Sequence, residues 1–352
     1  MALSLFRSRR STPKALTPRP AVPATGQRLV RVARKEAVSD RAVLLELLAV
    51  DGALLEPFPP GAHIDLHIGA GVVRQYSLVD VERSTGAYVI CVQREPAGRG
   101  GSIAVHESIR EGDTIEISFP RNTFAMDTSA GRLVLLAAGV GVTPLVSMAA
   151  HLHRSGADFE FHAYTRSGSA LPLRRYLESA SYRHRLVVHD SSLGDSFRSI
   201  APAGLAQPED GGAVYACRPE GFVALARDRA IEAGWRPEQF HSEQFTPTSP
   251  APSGNSLPFT VIAASTGEEM PVAPDESIAD VLERRGYDTY RSCGQGYCGS
   301  CVTRVISGVP DHRDDTQSAE EHAASSHINV CCSRSLPPRA RAGHLNINRT
   351  RA

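Results

Sequence analysis

The chain has 352 residues, of which 41% are hydrophobic and 22% are charged, and its 38 basic residues balance its 38 acidic residues. This composition is typical of a soluble globular protein, and the balanced charge argues against a dedicated nucleic-acid binder. The length predicts two or three domains, and no apolar run approaches the roughly eighteen residues that span a bilayer. We therefore expect a cytoplasmic monomer that binds neither a membrane nor nucleic acid.

Residues 1–27 differ from the rest of the chain. They carry five basic side chains, and the first acid of the sequence is Glu36. A short basic stretch with Ser, Thr and Pro cannot bury a core, so we predict a disordered tail. A basic, acid-poor start is also typical of a mitochondrial transit peptide, and this alternative stays open.

Residues 28–127 contain frequent short strand-like runs separated by turn residues, and they show no long helical pattern. This arrangement predicts an antiparallel β-barrel, which needs an occupant or a function. The expected strands cover residues 28–33, 41–48, 63–68, 74–79, 88–93 and 114–119.

Two motifs in this predicted barrel suit a flavin. In Arg74-Gln-Tyr-Ser-Leu78, an arginine can pair with a phosphate, an aromatic ring can cover a flat ring system, and a hydroxyl can reach a ring nitrogen. In Gly98-Arg-Gly-Gly-Ser102, backbone amides and a seryl hydroxyl can cradle a phosphate. Each motif alone is more often an ordinary strand or turn, but their joint order is more specific. The candidate flavin-binding residues are Arg74, Gln75, Tyr76, Ser77, Gly100, Gly101 and Ser102.

Residues 128–246 predict an α/β domain with a parallel sheet. A continuous apolar run at 132–138 is typical of a strand buried on both faces, and a glycine turn then opens an amphipathic helix. With Thr143 as its cap and Pro144 in the first helical position, this helix can present its N-terminus to the pyrophosphate of a dinucleotide. The turn lacks the G-x-G-x-x-G pattern, and the same elements occur in domains without a nucleotide. The candidate residues are Gly139, Gly141, Thr143 and Pro144.

The choice of nucleotide depends on the carboxyl ends of the later strands, where ligands of a parallel sheet bind. No acid follows the second strand to hold a ribose hydroxyl, and Arg166 could meet a 2′-phosphate instead. NADPH therefore stays open beside NADH, the preferred cofactor. Cys217, at another strand end, is a candidate to border the nicotinamide. The remaining strands are expected at 159–164, 185–189 and 213–217, and the helices near 172–179 and 219–233.

Residues 247–258 are rich in Pro and Ser and carry no charge, which predicts an exposed linker. Residues 259–352 then predict a small α+β ferredoxin-like domain of the β-grasp type. The acids at 274–277 are favoured at the start of a helix. The expected strands are 259–263, 269–272, 302–306 and 345–348, and the expected helix is 277–285.

The cysteines of this last domain carry the most specific signal in the chain. Cys293, Cys298 and Cys301 follow the C-x4-C-x2-C spacing of a plant-type [2Fe-2S] centre, whose fourth ligand would be Cys331 or the adjacent Cys332. Glycines in the loop let the backbone wrap a small anionic cluster. Zinc is less favoured, because structural zinc sites usually combine two C-x2-C knuckles. Disulfides are less favoured still, since the cysteine count of seven is odd.

The order of these motifs resembles that of the phthalate dioxygenase reductase family, which includes vanillate O-demethylase reductases. The resemblance covers residues 28–352, and it includes the segments 308–314 and 330–334 around the cysteines. It implies a multidomain protein with FMN in the barrel, a nicotinamide nucleotide in the middle domain and [2Fe-2S] at the end. It also implies that the fourth position is Cys331, so that the predicted ligands are Cys293, Cys298, Cys301 and Cys331.

The resemblance also implies roles for single residues. Those matching Arg74, Tyr76 and Ser77 contact FMN in the family, and those matching Gly101 and Ser102 lie by its phosphate. Glu243 and Phe245 resemble a segment that returns toward the flavin. The residues expected to act at the reaction centre are Ser77, Cys217 and Phe245.

Three positions depart from the family pattern. Arg218 replaces a glycine, Gly294 stands where a Glu is common, and Ser167 replaces an acid of some relatives. These departures bear on nicotinamide placement, on cluster potential and on the preference for NAD.

The combined reading predicts the reductase component of a Rieske-type oxygenase system, which passes electrons from NAD(P)H through FMN and [2Fe-2S] to its partner. One alternative is a stand-alone NAD(P)H dehydrogenase that reduces quinones or small oxidants. Another is a carrier module in which residues 28–245 are degenerate. Cys91 is expected to be a small core residue.

Overall fold

The computed structural model describes residues 27–69, 72–81, 86–98, 100–129, 131–243, 245, 257–287, 289–291, 294–296, 299–314, 316–336 and 344–347. The predicted basic tail, apart from Gln27, and the predicted linker, apart from residues 257 and 258, lie outside these residues. Within the described residues, no helix has the length and apolar character needed to cross a bilayer.

The first sheet is antiparallel and closes into a barrel. Its strand order is β4-β3-β6-β1-β2-β5, and the Val79 amide donates to the Val89 carbonyl at 2.8 Å, which joins the two outer strands. Alternate side chains fill the interior; Leu45, Ile64 and Ile117 are fully buried there. The elements are β1 (Gln27–Ser39), β2 (Ala42–Ala49), β3 (His63–His67), β4 (Val73–Ser77), β5 (Tyr88–Gln93), α1 (Gly101–Glu107) and β6 (Thr114–Ser118).

The second sheet has five parallel strands in the order β11-β10-β7-β8-β9. Its central strand is apolar because both faces are covered, as the continuous run at 132–138 predicted. The elements are β7 (Leu133–Ala138), α2 (Val142–Ser155), β8 (Phe159–Thr165), α3 (Arg174–Ser179), β9 (Leu186–Asp190), β10 (Ala213–Cys217), α4 (Glu220–Ala233) and β11 (Phe240–Glu243).

The start of α2 differs from the expectation. The helix begins at Val142 after a 3₁₀ turn over Gly139–Gly141, so Pro144 is its third residue and not its first. The Thr143 hydroxyl donates to the Val140 carbonyl at 3.0 Å and does not cap the helix. The prediction of Thr143 as cap and Pro144 at the first position was therefore wrong, because the 3₁₀ turn already winds the chain before them.

The third sheet is mixed, in the order β13-β12-β18-β14-β16, with β12 and β18 parallel. A reciprocal capping box between Ser277 and Asp280 starts its main helix, α5, as the acidic run at that position suggested. The elements are β12 (Phe259–Ala263), β13 (Glu268–Val272), α5 (Ile278–Arg284), β14 (Val302–Ser307), β15 (Pro310–Asp311), α6 (Ala319–Ala324), β16 (His327–Asn329), β17 (Arg334–Ser335) and β18 (His344–Ile347).

Candidate functional site

A cleft of about 340 Å³ opens between the barrel and the parallel sheet. Eight of the predicted site residues line it, including the four residues of the first flavin motif that lie on β4. Gly100, the left-handed residue before α1, does not line it. We call this cavity the barrel cleft. The eight residues are Arg74, Gln75, Tyr76, Ser77, Gly101, Ser102, Thr143 and Phe245.

One end of the barrel cleft has the donors that a phosphate needs. The Arg74 side chain lies against the backbone of Gly101, where a Cβ would fall 2.5 Å from Arg74 Cγ and 2.6 Å from Nε. The glycine therefore leaves room for the guanidinium stem. Ser102 Oγ accepts from the Glu95 amide at 3.0 Å, which ties the glycine loop to the end of β5. A guanidinium and a hydroxyl beside the loop backbone fit the phosphate of a flavin mononucleotide.

Two uncharged polar side chains, His63 and Gln75, line part of the barrel cleft. His63 is buried, and burial, with a contribution from the nearby Arg121, lowers its pKa to about 4, so the ring is neutral at pH 7. The Gln75 amide nitrogen lies 3.2 Å from His63 Nε2 and 3.2 Å from Asp65 Oδ1. Sequence reasoning missed His63, since no motif marks it. It reaches the cleft because it pairs with Ser77 across β3 and β4.

A second cleft, of about 860 Å³, lies at the carboxyl ends of β7, β8 and β10. Predicted residues Gly139 and Arg166 line it, and Gly139 adopts φ +55°, a backbone conformation that favours glycine. We call it the sheet-end cleft. Its size and its arginines suit a dinucleotide. Residues that the sequence did not single out also line it: Arg41, Tyr164, Phe197, Arg198 and Phe222.

Gly141, Pro144 and Cys217 line neither cleft. Gly141 instead packs against the end of β10, where a Cβ would lie 2.3 Å from the Cys217 carbonyl oxygen. Cys217 is fully buried, and burial, together with the neighbouring Glu243, raises the pKa of its thiol well above the usual value. The thiol is therefore protonated at neutral pH and is no nucleophile.

The two clefts share a wall. Gln93, Glu95, Val140 and Arg218 line both of them. The Arg218 guanidinium carbon lies 5.3 Å from the centre of the Phe245 ring, within cation–π range. Arg218 has φ +43°, in the left-handed region, which explains why the family pattern has a glycine at this position.

A carboxyl group lies at this shared wall. Glu243 pairs with Cys217 across β10 and β11 and lines the barrel cleft. Its Oε2 atom is buried without a hydrogen-bond partner among the described residues. Burial raises the pKa of Glu243 to about 8. The carboxyl group is therefore mostly protonated at pH 7 and can donate a hydrogen bond into the cleft.

The cysteine loop lies in the third domain. The Sγ atoms of Cys301 and Cys331 are 3.1 Å apart, and both residues are buried. Cys332 Sγ lies elsewhere, against Gly296, where a Cβ would fall 2.5 Å from it. The adjacent position of Cys301 and Cys331 fits a shared cluster. Cys293 and Cys298 lie outside the described residues.

A second group of potential ligands lies behind the loop. The ligand atoms of His312, Asp314 and His322 are within 4.8 Å of one another. The two imidazole rings stack with centres 4.2 Å apart and planes 18° apart. Because imidazole lone pairs lie in the ring plane, two nearly parallel planes do not meet at one ion. Asp314 instead accepts hydrogen bonds from the Gln317 amide and the Thr316 hydroxyl, which fixes the segment behind Gly296.

Known proteins share this architecture. Residues 261–336 match the family model for a 2Fe-2S iron-sulfur cluster binding domain. The chain is 37% identical over 297 residues to a vanillate O-demethylase oxidoreductase from Pseudomonas sp. strain HR199, covering 84% of this chain and 93% of that protein. It is 36% identical over 316 residues to a 3-chlorobenzoate-3,4-dioxygenase reductase subunit from Comamonas testosteroni, covering 88% and 95%.

A solved structure extends this similarity to three dimensions. It is that of phthalate dioxygenase reductase, described as a modular structure for electron transfer from pyridine nucleotides to [2Fe-2S]. The TM-score is 0.67 at 31% identity, and the match covers 92% of this chain and 98% of that one. The expected fold class, with an antiparallel barrel, a parallel-sheet domain and a C-terminal cluster-binding domain, is confirmed.

Proposed function

The chain belongs to the phthalate dioxygenase reductase family, and from that premise we propose that it takes electrons from NADH and delivers them, through FMN and [2Fe-2S], to a partner oxygenase. The observation that carries the proposal is the order of the sites. The sheet-end cleft shares a wall with the barrel cleft, and Gln295 of the cysteine loop also lines the barrel cleft. Electrons can therefore pass from a nucleotide, through a flavin, to a cluster.

The residues of the barrel cleft support FMN as its ligand. Bound FMN would supply the conversion between two-electron hydride chemistry and single-electron transfer. Arg74 and Ser102 would hold its phosphate, Tyr76 would cover a face of its ring system, and the Ser77 hydroxyl would reach a ring nitrogen. Gly101 contributes by letting Arg74 approach.

The shared wall supports a meeting point for nicotinamide and flavin. Phe245 occupies the barrel cleft beneath Arg218, and in that position its ring excludes water from the reacting face. Glu243, neutral at pH 7, holds a proton at its buried carboxyl group beside the same space. Cys217 is fully buried behind this wall, and the contact of its carbonyl oxygen with Gly141 sets the position of that glycine.

The sheet-end cleft supports a pyridine dinucleotide, with its pyrophosphate near Gly139. Arg166 and Arg198 offer positive charge in that cleft. Either arginine could accept a 2′-phosphate, so our preference for NADH over NADPH is a prediction to be measured.

We further propose that the partner is a Rieske-type oxygenase. A plant-type centre has a potential of about −400 mV and a Rieske centre one at or above about −150 mV, so electron transfer is favourable by roughly 250 mV. A monomeric state and a cytoplasmic location complete the proposal, and size-exclusion chromatography and cell fractionation would test them.

An anaerobic titration with NADH tests the relay. We expect the flavin and cluster absorbance bands of the purified protein to bleach together. Cys298→Ser and Cys331→Ser should each remove the cluster band and leave flavin reduction intact, whereas the control Cys332→Ser should keep both bands. The proposal is wrong if either cluster-free variant reduces the oxygenase at the parental rate.

The same preparation distinguishes the alternative of a stand-alone dehydrogenase. Fast steady-state reduction of a quinone without any protein partner, unaffected by loss of the cluster, would favour that activity. A protein isolated without flavin absorbance would instead favour a simple carrier module.

A further inference from the structure

A side-chain hydrogen bond joins the cluster domain to the barrel. Tyr290 comes just before the cysteine loop, and its hydroxyl donates to Oδ2 of Asp65 on β3, 225 residues away in sequence. Nothing in the sequence marks either residue. The contact fixes the chain next to the cysteine loop against the flavin domain.

The acceptor of this hydrogen bond is a buried charge. Asp65 is fully buried, and Arg121 Nη2 lies 2.6 Å from its Oδ1. The Arg121 guanidinium carbon is also 5.3 Å from the centre of the Tyr290 ring. Tyr290 thus contacts both members of an ion pair, one through its hydroxyl and the other through its ring. Hydrogen bonds to a charged group with little solvent access are stronger than neutral ones in water.

The same ion pair reaches the barrel cleft. Gln75 donates to Asp65 Oδ1 at 3.2 Å and lies 3.2 Å from His63 Nε2, and both Gln75 and His63 line that cleft. The flavin site and the Tyr290 contact are therefore two sides of one polar network.

On the other side, the chain at Tyr290 is fixed to its own domain. Arg291 forms two ion pairs with α5, from Nη1 to Asp280 at 2.6 Å and from Nη2 to Glu283 at 2.8 Å. Tyr290 can therefore be displaced only together with α5 and the rest of the cluster domain.

We propose that Asp65, Arg121 and Tyr290 form a latch that holds the cluster domain where it accepts electrons from the flavin, with Tyr290 as a positioning residue. The latch deepens the proposed function and rests on it. When the cluster domain moves away, Asp65 keeps Arg121 and Gln75 as partners, so no buried charge is left alone. Opening breaks the hydrogen bond from Tyr290 to Asp65 and the contact of its ring with Arg121, while the ion pair inside the barrel stays intact, which suits a reversible contact.

Tyr290→Phe tests the latch, because it removes the hydroxyl and keeps the ring. The matched control is Tyr287→Phe in the same domain, where the hydroxyl donates to Glu268 at 2.9 Å away from the barrel. In anaerobic rapid mixing of holoprotein with NADH, flavin reduction should be unchanged in both variants. The later transfer from flavin to cluster should slow by roughly tenfold or more in Tyr290→Phe, as loss of a charge-assisted hydrogen bond predicts.

Amide hydrogen exchange gives a readout that needs no electron transfer. We expect faster exchange over β3 and 289–291 in Tyr290→Phe, with the parental pattern in Tyr287→Phe. The latch is overturned if Tyr290→Phe exchanges and transfers electrons like the parent, or if Tyr287→Phe slows transfer equally. If NADH does not bleach the flavin of the parent protein, the proposed function is contradicted instead. The hydrogen-exchange result then still decides whether the latch exists.

Discussion

At the scale of single residues, the site depends on side chains whose properties come from their surroundings. Glu243 and Cys217 are adjacent across two parallel strands, and burial keeps both protonated at neutral pH. Arg218 adopts a left-handed backbone conformation to reach both clefts. The sequence names the residue types, but burial decides their charge.

Glu243 makes the stability of the site depend on pH. Its pKa is about 8 in the folded protein and near the ordinary 4.5 in the unfolded chain. Between these values the folded state keeps a proton that the unfolded state loses, so this contribution to stability is present below about pH 4.5 and declines up to about pH 8. The free energy of unfolding of Glu243→Gln should therefore fall less between pH 4.5 and pH 8 than that of the parent, by on the order of 1–3 kcal/mol.

The measurement is the temperature of flavin release, followed by fluorescence at several pH values across that window. Glu238→Gln is the control, since Glu238 is an exposed glutamate paired with Arg236 just before β11. If the release temperature changes with pH in the same way in Glu243→Gln and in the parent, the carboxyl group is not buried and protonated.

At the scale of elements, one close backbone contact, between Gly141 and Cys217, sets how β7, α2 and β10 meet. Gly141 lets the 3₁₀ turn lie on the carbonyl of Cys217. Gly141→Ala should push these elements apart and lower stability by about 1–3 kcal/mol, together with the affinity for NADH. Gly221→Ala, in the first turn of α4 where a Cβ meets nothing within 4 Å, should instead raise stability slightly. Thermal unfolding of both variants checks the contrast.

Elements with strong local signals were the predictable ones. The apolar run of β7 and the capped helix α5 lie within about two residues of their expected bounds. The short elements α6, β15, β16 and β17 were not predicted. They depend on distant partners: Arg334 on β17 donates to the carbonyls of Ala273 and Glu276, some sixty residues earlier.

At the scale of the whole molecule, the described residues form three large sheets and a two-stranded β15–β17 sheet, but the apolar cores do not follow this division. One apolar cluster contains barrel residues such as Leu44 and Phe124 together with Leu135 and Met148 of the parallel-sheet domain. The buried Cys91 belongs to this shared core, in agreement with its expected role. The cluster domain has a separate core built from residues after 258. The predicted boundary near 127 therefore cuts through a core, whereas the one near 246 does not.

We expect a truncated chain to fold only if the truncation leaves each apolar core whole. A chain ending at residue 246 should fold, bind flavin and reduce it with NADH, but transfer nothing to the oxygenase. Separate expression of 28–127 should yield insoluble or unfolded protein, because the barrel's side of the shared core would be exposed. Circular dichroism and flavin content measure both outcomes. A stable, flavin-binding fragment 28–127 would show that the shared core matters little.

The sequence by itself determined the cysteine spacing, the two flavin motifs, the glycine turn and their order along the chain, because each is a local pattern tied to one kind of chemistry. Tertiary structure decided the rest. It brought Arg218 to the wall between two clefts, buried the Oε2 atom of Glu243 without a hydrogen-bond partner among the described residues, and joined Tyr290 to Asp65. These contacts link residues far apart in sequence, and their energies come from burial and close approach, which no local pattern encodes.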